Sequence, residues 1–113
     1  PISAETADAV AEMMTHVIED GGINQLYINQ LKDYYIAGKT GTAQVAKKDG
    51  VGYEEDKTIT TFVGFAPADD AKMIMLTRLE EPKNNPYASV TVVPMWTEIF
   101  LNIANDLEIS KRN

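Results

Sequence analysis

The stretch Ala37–Gln44, AGKTGTAQ, is the part of this sequence that most restricts the fold and the chemistry. A Gly-Lys-Thr string occurs in phosphate-binding loops of the form G-x-x-x-x-G-K-[ST]. Counting back from Gly38 places Asp33 where the first glycine of such a loop should stand. A carboxylate there would repel phosphate, and the residues after Thr40 favour a continuing strand over the helix whose N-terminus would hold an anion. Nucleotide binding is therefore disfavoured.

The same stretch fits a second chemistry, the Lys-Thr-Gly element that stands on a strand beside the nucleophile in some serine acyltransferases. That chemistry needs a cation near the substrate carboxylate, short hydroxyls at the same edge, and a position without a side chain where the substrate lies against the backbone. Lys39 supplies the cation, Gly41 the open position, and Thr40 and Thr42 the hydroxyls. Strand alternation places Lys39 and Gly41 on one face and the two threonines on the other. Three residues alone are weak evidence for such a site, so the assignment depends on the rest of the sequence.

Three runs of β-branched and aromatic residues predict strands. They are Tyr34 to about Val45, Thr58–Ala66 and Lys72–Leu79. The turn-rich connection Pro67–Ala71 predicts that the last two runs pair as an antiparallel hairpin. Between the first two runs, the polar segment Gln44–Lys57 predicts a mobile loop that projects from the sheet.

The middle run has apolar residues on both of its faces. Alternation directs Ile59, Thr61, Val63 and Phe65 to one face, and Phe62 and Ala66 to the other. Because apolar side chains on both faces of a sheet have to be removed from water, we expect cover on both sides.

Helical patterns flank the strands. Ser3 is a suitable N-cap for an amphipathic helix that extends to about residue 20. Its buried stripe is predicted to contain Ala7, Val10, Ala11, Met14, Val17 and Ile18. A C-terminal helix, with Pro94 tolerated in its first turn, is predicted to pack on the sheet. Its buried residues are predicted to be Val92, Val93, Trp96, Ile99, Phe100, Ile103, Ala104 and Leu107. Residues 23–33 form a connector of open structure, and the whole order predicts one α+β domain over residues 1–113.

Composition limits the classes of function. The formal net charge of −7 disfavours nucleic-acid binding. The sequence has no cysteine and one histidine, His16, so neither a metal site nor a cofactor is expected, and we place His16 on the surface. The longest apolar runs are far shorter than the roughly 20 residues of a membrane-spanning helix.

The wider sequence closely resembles class B penicillin-binding proteins, the peptidoglycan D,D-transpeptidases. The similarity runs from Ser3 to about Leu107 and is carried by Tyr35–Gln44, by Phe62–Pro67 and by Pro94 before the last helix. It implies that the chain is the C-terminal portion of a penicillin-binding transpeptidase domain. Three of that family's five strands would then pack against the N- and C-terminal helices in an incomplete antiparallel sheet.

The resemblance also implies roles for the site residues. Lys39 would hold and relay charge around the nucleophilic serine, while Thr40 and Thr42 would bind the carboxylate of a peptidoglycan stem peptide or of a β-lactam antibiotic. The backbone N–H of Thr42 would be one of two oxyanion-hole donors, so Lys39 and Thr42 would be catalytic. Gly41 would belong to the substrate site, and Gly38 would allow close packing against the helix that bears the nucleophile.

Two motifs of that family, Ser-x-x-Lys and Ser-x-Asn, are missing from this sequence. Neither pattern follows Ser3, Ser89 or Ser110. Without an activated serine no acyl-enzyme can form, so we expect this chain alone to be inactive and to have the remainder of the same transpeptidase domain as a partner. The resemblance further implies a membrane-anchored parent at the extracytoplasmic face of the bacterial cytoplasmic membrane.

Two other interpretations stay open from the sequence. The chain could come from a serine β-lactamase or β-lactam sensor, or it could be a noncatalytic binding module that retains the fold. The long segment after Gln44 and the strand Phe62–Pro67 favour the transpeptidase over the β-lactamase. A Ser-x-x-Lys motif upstream would separate both enzyme-like classes from the binding module.

Overall fold

The order of helices and strands is the one that the sequence predicts. The computed structural model describes residues 1–20, 29–83 and 87–112. Its elements are helix α1 (Ala4–Glu19), strands β1 (Ala37–Ala46), β2 (Tyr53–Ala66) and β3 (Met73–Glu80), a 3-10 turn (Ala88–Val90) and helix α2 (Val92–Ile103). The α+β class is confirmed. Residues 23–28 of the predicted connector lie outside the described ranges.

The strands form one antiparallel sheet in the order β1-β2-β3, so β1 and β3 are its two edges within the described part of the chain. The register sets Gly38 of β1 opposite Gly64 of β2, and Phe62 of β2 opposite Thr77 of β3. Residues 67–72 connect β2 and β3, and the connection is the turn that Pro67–Ala71 predicts. Directly opposite residues of an antiparallel pair share a face, so this register fixes which side chains lie together.

The hairpin between β1 and β2 is longer than we expected. A projecting loop was predicted over Gln44–Lys57, but β2 already begins at Tyr53, which pairs with Ala46. Only residues 47–52 form the loop. The prediction was wrong because a run of polar residues argues against a strand only where one face of that strand must be buried. Most residues of this part of the hairpin are exposed, so the strand can be polar on both faces.

One side of the sheet, which we call the covered face, carries the hydrophobic core. Its residues on β2 are all buried and alternate as predicted: Thr60, Phe62, Gly64 and Ala66. Helix α2 packs on β2 and β3 and buries Trp96 and Phe100 completely. The Trp96 ring contacts Phe62 edge-on with centroids 5.3 Å apart, and it stacks on Phe100 at 5.1 Å.

Close packing under Trp96 depends on Gly64. A Cβ built on Gly64 would lie 2.6 Å from Trp96 Cζ2 and 3.1 Å from Phe62 Cε2. Trp96 is also fixed by its indole Nε1–H, which donates a hydrogen bond to the Met75 carbonyl at 2.9 Å. The sheet and α2 therefore approach each other more closely than a residue with a side chain at position 64 would allow.

Helix α1 has the predicted limits but buries less than predicted. The Ser3 hydroxyl caps it by accepting a hydrogen bond from a first-turn backbone N–H at 3.1 Å. The buried residues are Thr15 and Ile18, whereas Ala7 and Val10 of the predicted stripe are exposed. The stripe is wrong over the first half of the helix, because helical spacing identifies an apolar face without showing whether anything packs on it.

Helix α2 agrees with the sequence in its start and its proline. Pro94 is its third residue, where the missing N–H costs no helical hydrogen bond. Two residues of the predicted buried set are corrected: Ile99 is 39% exposed and Leu107, beyond the end of the helix, is 37% exposed. Within the described residues, neither helix has the length and hydropathy that crossing a bilayer would require.

The other side of the sheet, which we call the open face, is incompletely covered by the described residues. On β3, Ile74 and Leu76 are 71% and 60% exposed, and on β2 their neighbours Val63 and Phe65 are half-buried. We expected cover on both faces, and the described part of the chain does not provide it here. An apolar patch of this kind marks a surface that contacts another segment or molecule.

Candidate functional site

The Lys-Thr-Gly segment lies in the middle of the edge strand β1. Residues Lys39–Thr42 pair with Thr60–Val63 of β2. No other strand in the described ranges pairs with β1, so its outer edge has no ladder partner there. The backbone N–H and C=O groups of such an edge can pair with an extended peptide as an additional strand.

The side chains of this segment divide between the two faces of the sheet. Lys39 and Gly41 lie on the open face, and Thr40 and Thr42 lie on the opposite side. Lys39 is exposed, and its Nζ donates a hydrogen bond to the Thr40 carbonyl at 2.8 Å. Thr40 is half-buried and Thr42 is exposed. The structure therefore gathers the four predicted site residues at one edge, with the ammonium and the two hydroxyls on different faces.

Gly38 is buried and closely packed against the neighbouring strand. A Cβ built on Gly38 would lie 2.5 Å from Phe62 Cζ and 3.0 Å from the Val63 carbonyl oxygen. The space in front of Gly38 is thus filled by a ring from the adjacent strand. Within the described residues Gly38 packs inside the sheet, on its covered face, and its contact with a nucleophile-bearing helix stays a prediction.

A groove of about 450 Å³ borders Thr42 at the hairpin end of the sheet. It arises from an irregular register, because residues 54–57 of β2 face only residue 45 of β1 between the pairs Gln44–Thr58 and Ala46–Tyr53. Asp56 takes the left-handed φ of +60° in this bulge. Tyr53 and Tyr87 also line the groove. Sequence analysis missed it by assigning the bulge to a loop, although Tyr53 is a residue typical of strands.

The groove is acidic. Glu54, Glu55 and Asp56 all line it, and none of them forms an ion pair within the described residues. Lys57 is the one basic residue in its lining, and its Nζ lies 3.9 Å from a Glu81 carboxylate oxygen. The groove therefore disfavours an anionic ligand inside it, next to these carboxylates.

The predicted strand across this segment is confirmed. After Thr40 the chain continues as β1 to Ala46, so the segment is not followed by the helix whose N-terminus holds the anion in a phosphate-binding loop. A metal-binding arrangement of His, Cys, Asp and Glu side chains is also absent from the described part of the chain.

His16 lies on the exposed side of α1, as predicted. Its Nδ1 is 2.6 Å from Asp20 Oδ2. This hydrogen bond to Asp20 raises the pKa of His16 above its usual value of 6.5. The contact belongs to the C-terminal end of α1, where a positive charge also interacts favourably with the helix dipole.

Comparisons with known proteins agree with one another. Residues 1–101 match the family model described as penicillin binding protein transpeptidase domain. The chain is 34% identical over 110 residues to the probable peptidoglycan D,D-transpeptidase PenA of Neisseria flavescens. It is 30% identical over 112 residues to stage V sporulation protein D of Bacillus subtilis. These matches cover 96% and 98% of this chain but 26% and 17% of the two relatives.

The fold is also similar to a solved structure. The crystal structure of penicillin-binding protein 3 of Mycobacterium tuberculosis, complexed with ampicillin, superposes with a TM-score of 0.77 at 25% sequence identity. The superposition covers 97% of this chain and 26% of that one. The shared architecture thus corresponds to about a quarter of the larger protein.

Proposed function

Because this chain belongs to the penicillin-binding protein transpeptidase domain family, as its resemblance to class B members predicted, we propose that it forms the Lys-Thr-Gly wall of the active site in a peptidoglycan D,D-transpeptidase. The observation that supports this most directly is the position of Lys39–Thr42 on an edge strand whose outer edge has no ladder partner among the described residues. The reaction is serine acyl transfer, which cross-links stem peptides. A β-lactam blocks it by acylating the same serine.

Each site residue has a task in this reaction. Lys39 brings a positive charge to the serine and to the carboxylate of the substrate, which an exposed and unneutralised ammonium can do. Thr40 and Thr42 donate hydrogen bonds from their hydroxyls to that carboxylate at the strand edge. The Thr42 N–H is one donor to the tetrahedral oxyanion, and Gly41 lets the substrate approach the backbone.

The remaining parts of the site come from outside these residues. Since the sequence has no Ser-x-x-Lys and no Ser-x-Asn motif, the nucleophile and its base belong to the rest of the transpeptidase domain. That portion contacts the open face around Ile74 and Leu76, which are largely exposed. Cross-linking of peptidoglycan places the active parent outside the cytoplasmic membrane, to which a membrane anchor outside these residues attaches it.

The test is Lys39→Ala in the complete transpeptidase that contains this chain. The rate constant for acylation by a fluorescent penicillin should fall by roughly 10² or more, because a charge at the reacting centre is removed. The melting temperature should change little, because Lys39 is exposed. Lys47→Ala is the matched control, since Lys47 is an exposed lysine in the loop of the same hairpin. Equal acylation rates for the two variants would refute the proposed role of Lys39.

A further inference from the structure

A third threonine hydroxyl lies beside the Lys-Thr-Gly segment, on the neighbouring strand. Thr61 of β2 pairs directly with Gly41 of β1. Its Oγ1 occupies the space that a side chain at position 41 would fill, 2.6 Å from the position of the missing Cβ. Gly41 therefore leaves room for the Thr61 hydroxyl on the surface of the sheet.

The Thr61 hydroxyl is available to a ligand. The residue is half-buried, so its side chain is held by the sheet without being removed from solvent. Within residues 1–20, 29–83 and 87–112 the hydroxyl makes no hydrogen bond. A fixed hydroxyl with an unused O–H donor is what a positioned polar contact requires.

The charges of the two faces favour an anion on the side of Thr61. Lys39 lies on the same open face, opposite Val63, and no carboxylate of the described residues neutralises it. Arg78, the β3 partner of Thr61, pairs with Glu80 on that face and adds no net charge. The opposite side of β1, by contrast, borders the acidic groove with its three unpaired carboxylates.

We propose that the Thr61 hydroxyl is a substrate-binding group, which donates a hydrogen bond to the C-terminal carboxylate of the peptide, or to the carboxylate of a β-lactam. The inference rests on the proposed function, because Lys39 attracts the same carboxylate. Lys39 and Thr61 are diagonal neighbours on one face, a relation that separates Cα atoms by about 7–8 Å and lies within reach of a long side chain. A carboxylate held at the edge of β1 by Thr40 and Thr42 can accept a further hydrogen bond from the Thr61 hydroxyl, while the Lys39 ammonium attracts it from the same face.

The proposal assigns Gly41 a second task. A glycine at this position admits the substrate to the backbone, and it also leaves the Thr61 hydroxyl in its place. A larger residue at 41 would displace Oγ1, because a Cβ at 2.6 Å is closer than any real contact of this kind. The neighbouring Thr60 has no such role, since its side chain is fully buried on the covered face.

The experiment measures acylation of the complete transpeptidase by benzylpenicillin and by benzylpenicillin methyl ester, which lacks the carboxylate. Thr61→Val removes the hydroxyl at nearly constant shape and should lower the rate constant with benzylpenicillin roughly 10-fold, as expected for a lost hydrogen bond to a charged group. Thr61→Ser keeps the hydroxyl and should retain most of the wild-type rate. With the methyl ester, all three proteins should react at the same rate.

Thr60→Val is the matched control, one position away on the covered face, and its folded form should acylate at the wild-type rate with both compounds. Thr61→Ala gives a second test of the hydroxyl if the valine variant does not fold. The proposal is overturned if Thr61→Val reacts with benzylpenicillin as fast as the wild type, or if it loses as much rate with the ester. If Lys39→Ala lowers the rate while Thr61→Val does not, only this inference fails. If Lys39→Ala has no effect either, the proposed function fails with it.

Discussion

Replacing Gly64 by alanine should destabilise the chain by forcing Trp96 out of its place. The added Cβ would lie 2.6 Å and 2.9 Å from two carbons of the Trp96 indole and 3.1 Å from Phe62 Cε2. Both rings are fully buried, and the hydrogen bond of Trp96 to the Met75 carbonyl opposes a shift of the indole. Overpacking of a core costs about 1–3 kcal/mol. We expect a value near 2 kcal/mol, because a contact with rigid rings cannot be relieved by one rotamer change.

Equilibrium unfolding in urea measures this cost, with the emission of Trp96 as the signal, since it is the single tryptophan of the chain. The midpoint of Gly64→Ala should lie roughly 1 M urea below that of the wild type. Gly50→Ala is the control, because a Cβ at Gly50 meets nothing within 4 Å. All three proteins are compared at one concentration. Equal midpoints for the two alanine variants would refute the argument that Gly64 sets the distance between the sheet and α2.

Three further outcomes are expected of the isolated chain. A fluorescent penicillin should not label it, because no serine has a lysine three positions on; a stable adduct in the intact mass spectrum would contradict this. The chain should self-associate in sedimentation experiments through the exposed Ile74 and Leu76. Ile74→Lys should reduce the association. A wild-type chain that is monomeric and binds no apolar dye would show the prediction to be wrong. In an NMR titration the pKa of His16 should lie above 6.5, and Asp20→Asn should lower it. The pKa of His16 is higher in the folded chain than in the unfolded chain, so protonated His16 stabilises the fold below pH 6.5. This stabilisation is lost as the pH rises through the folded pKa. An unchanged His16 pKa in Asp20→Asn would contradict the role of Asp20.

The sequence predicts the strands best where one face is buried. Along Thr58–Ala66 the period of two follows from the core, so strand, hairpin and buried residues were all predictable. In Glu54–Lys57 no residue is buried and all but Glu54 are exposed, so the sequence has no hydrophobic alternation there that would indicate a strand. Helix α1 shows the opposite error, in which a pattern predicts burial that does not occur. Val10 has the spacing of a core residue and is exposed.

The candidate site was predictable only in part for a similar reason. Lys39–Thr42 form a local string, and the string is visible in the sequence. Thr61 enters the site through cross-strand pairing with Gly41, and the register that brings them together is set by burial of the covered face rather than by neighbouring residues in the sequence. The acidic groove depends on a bulge, and no local sequence pattern predicts that bulge.

That bulge has a consequence for how the sequence can change. In the bulge, residues 54–57 of β2 face the single residue 45 of β1. A gain or loss of residues at the hairpin tip therefore changes the size of the bulge. The pairs Lys39–Val63 and Gly41–Thr61 are fixed by the covered face, where a slip of one position would carry Phe62 into solvent. Length variation at the tip therefore leaves the position of Lys39–Thr42 on the edge strand unchanged. Such a protein can vary the size and charge of the groove beside β1 while β1 keeps its alignment with β2.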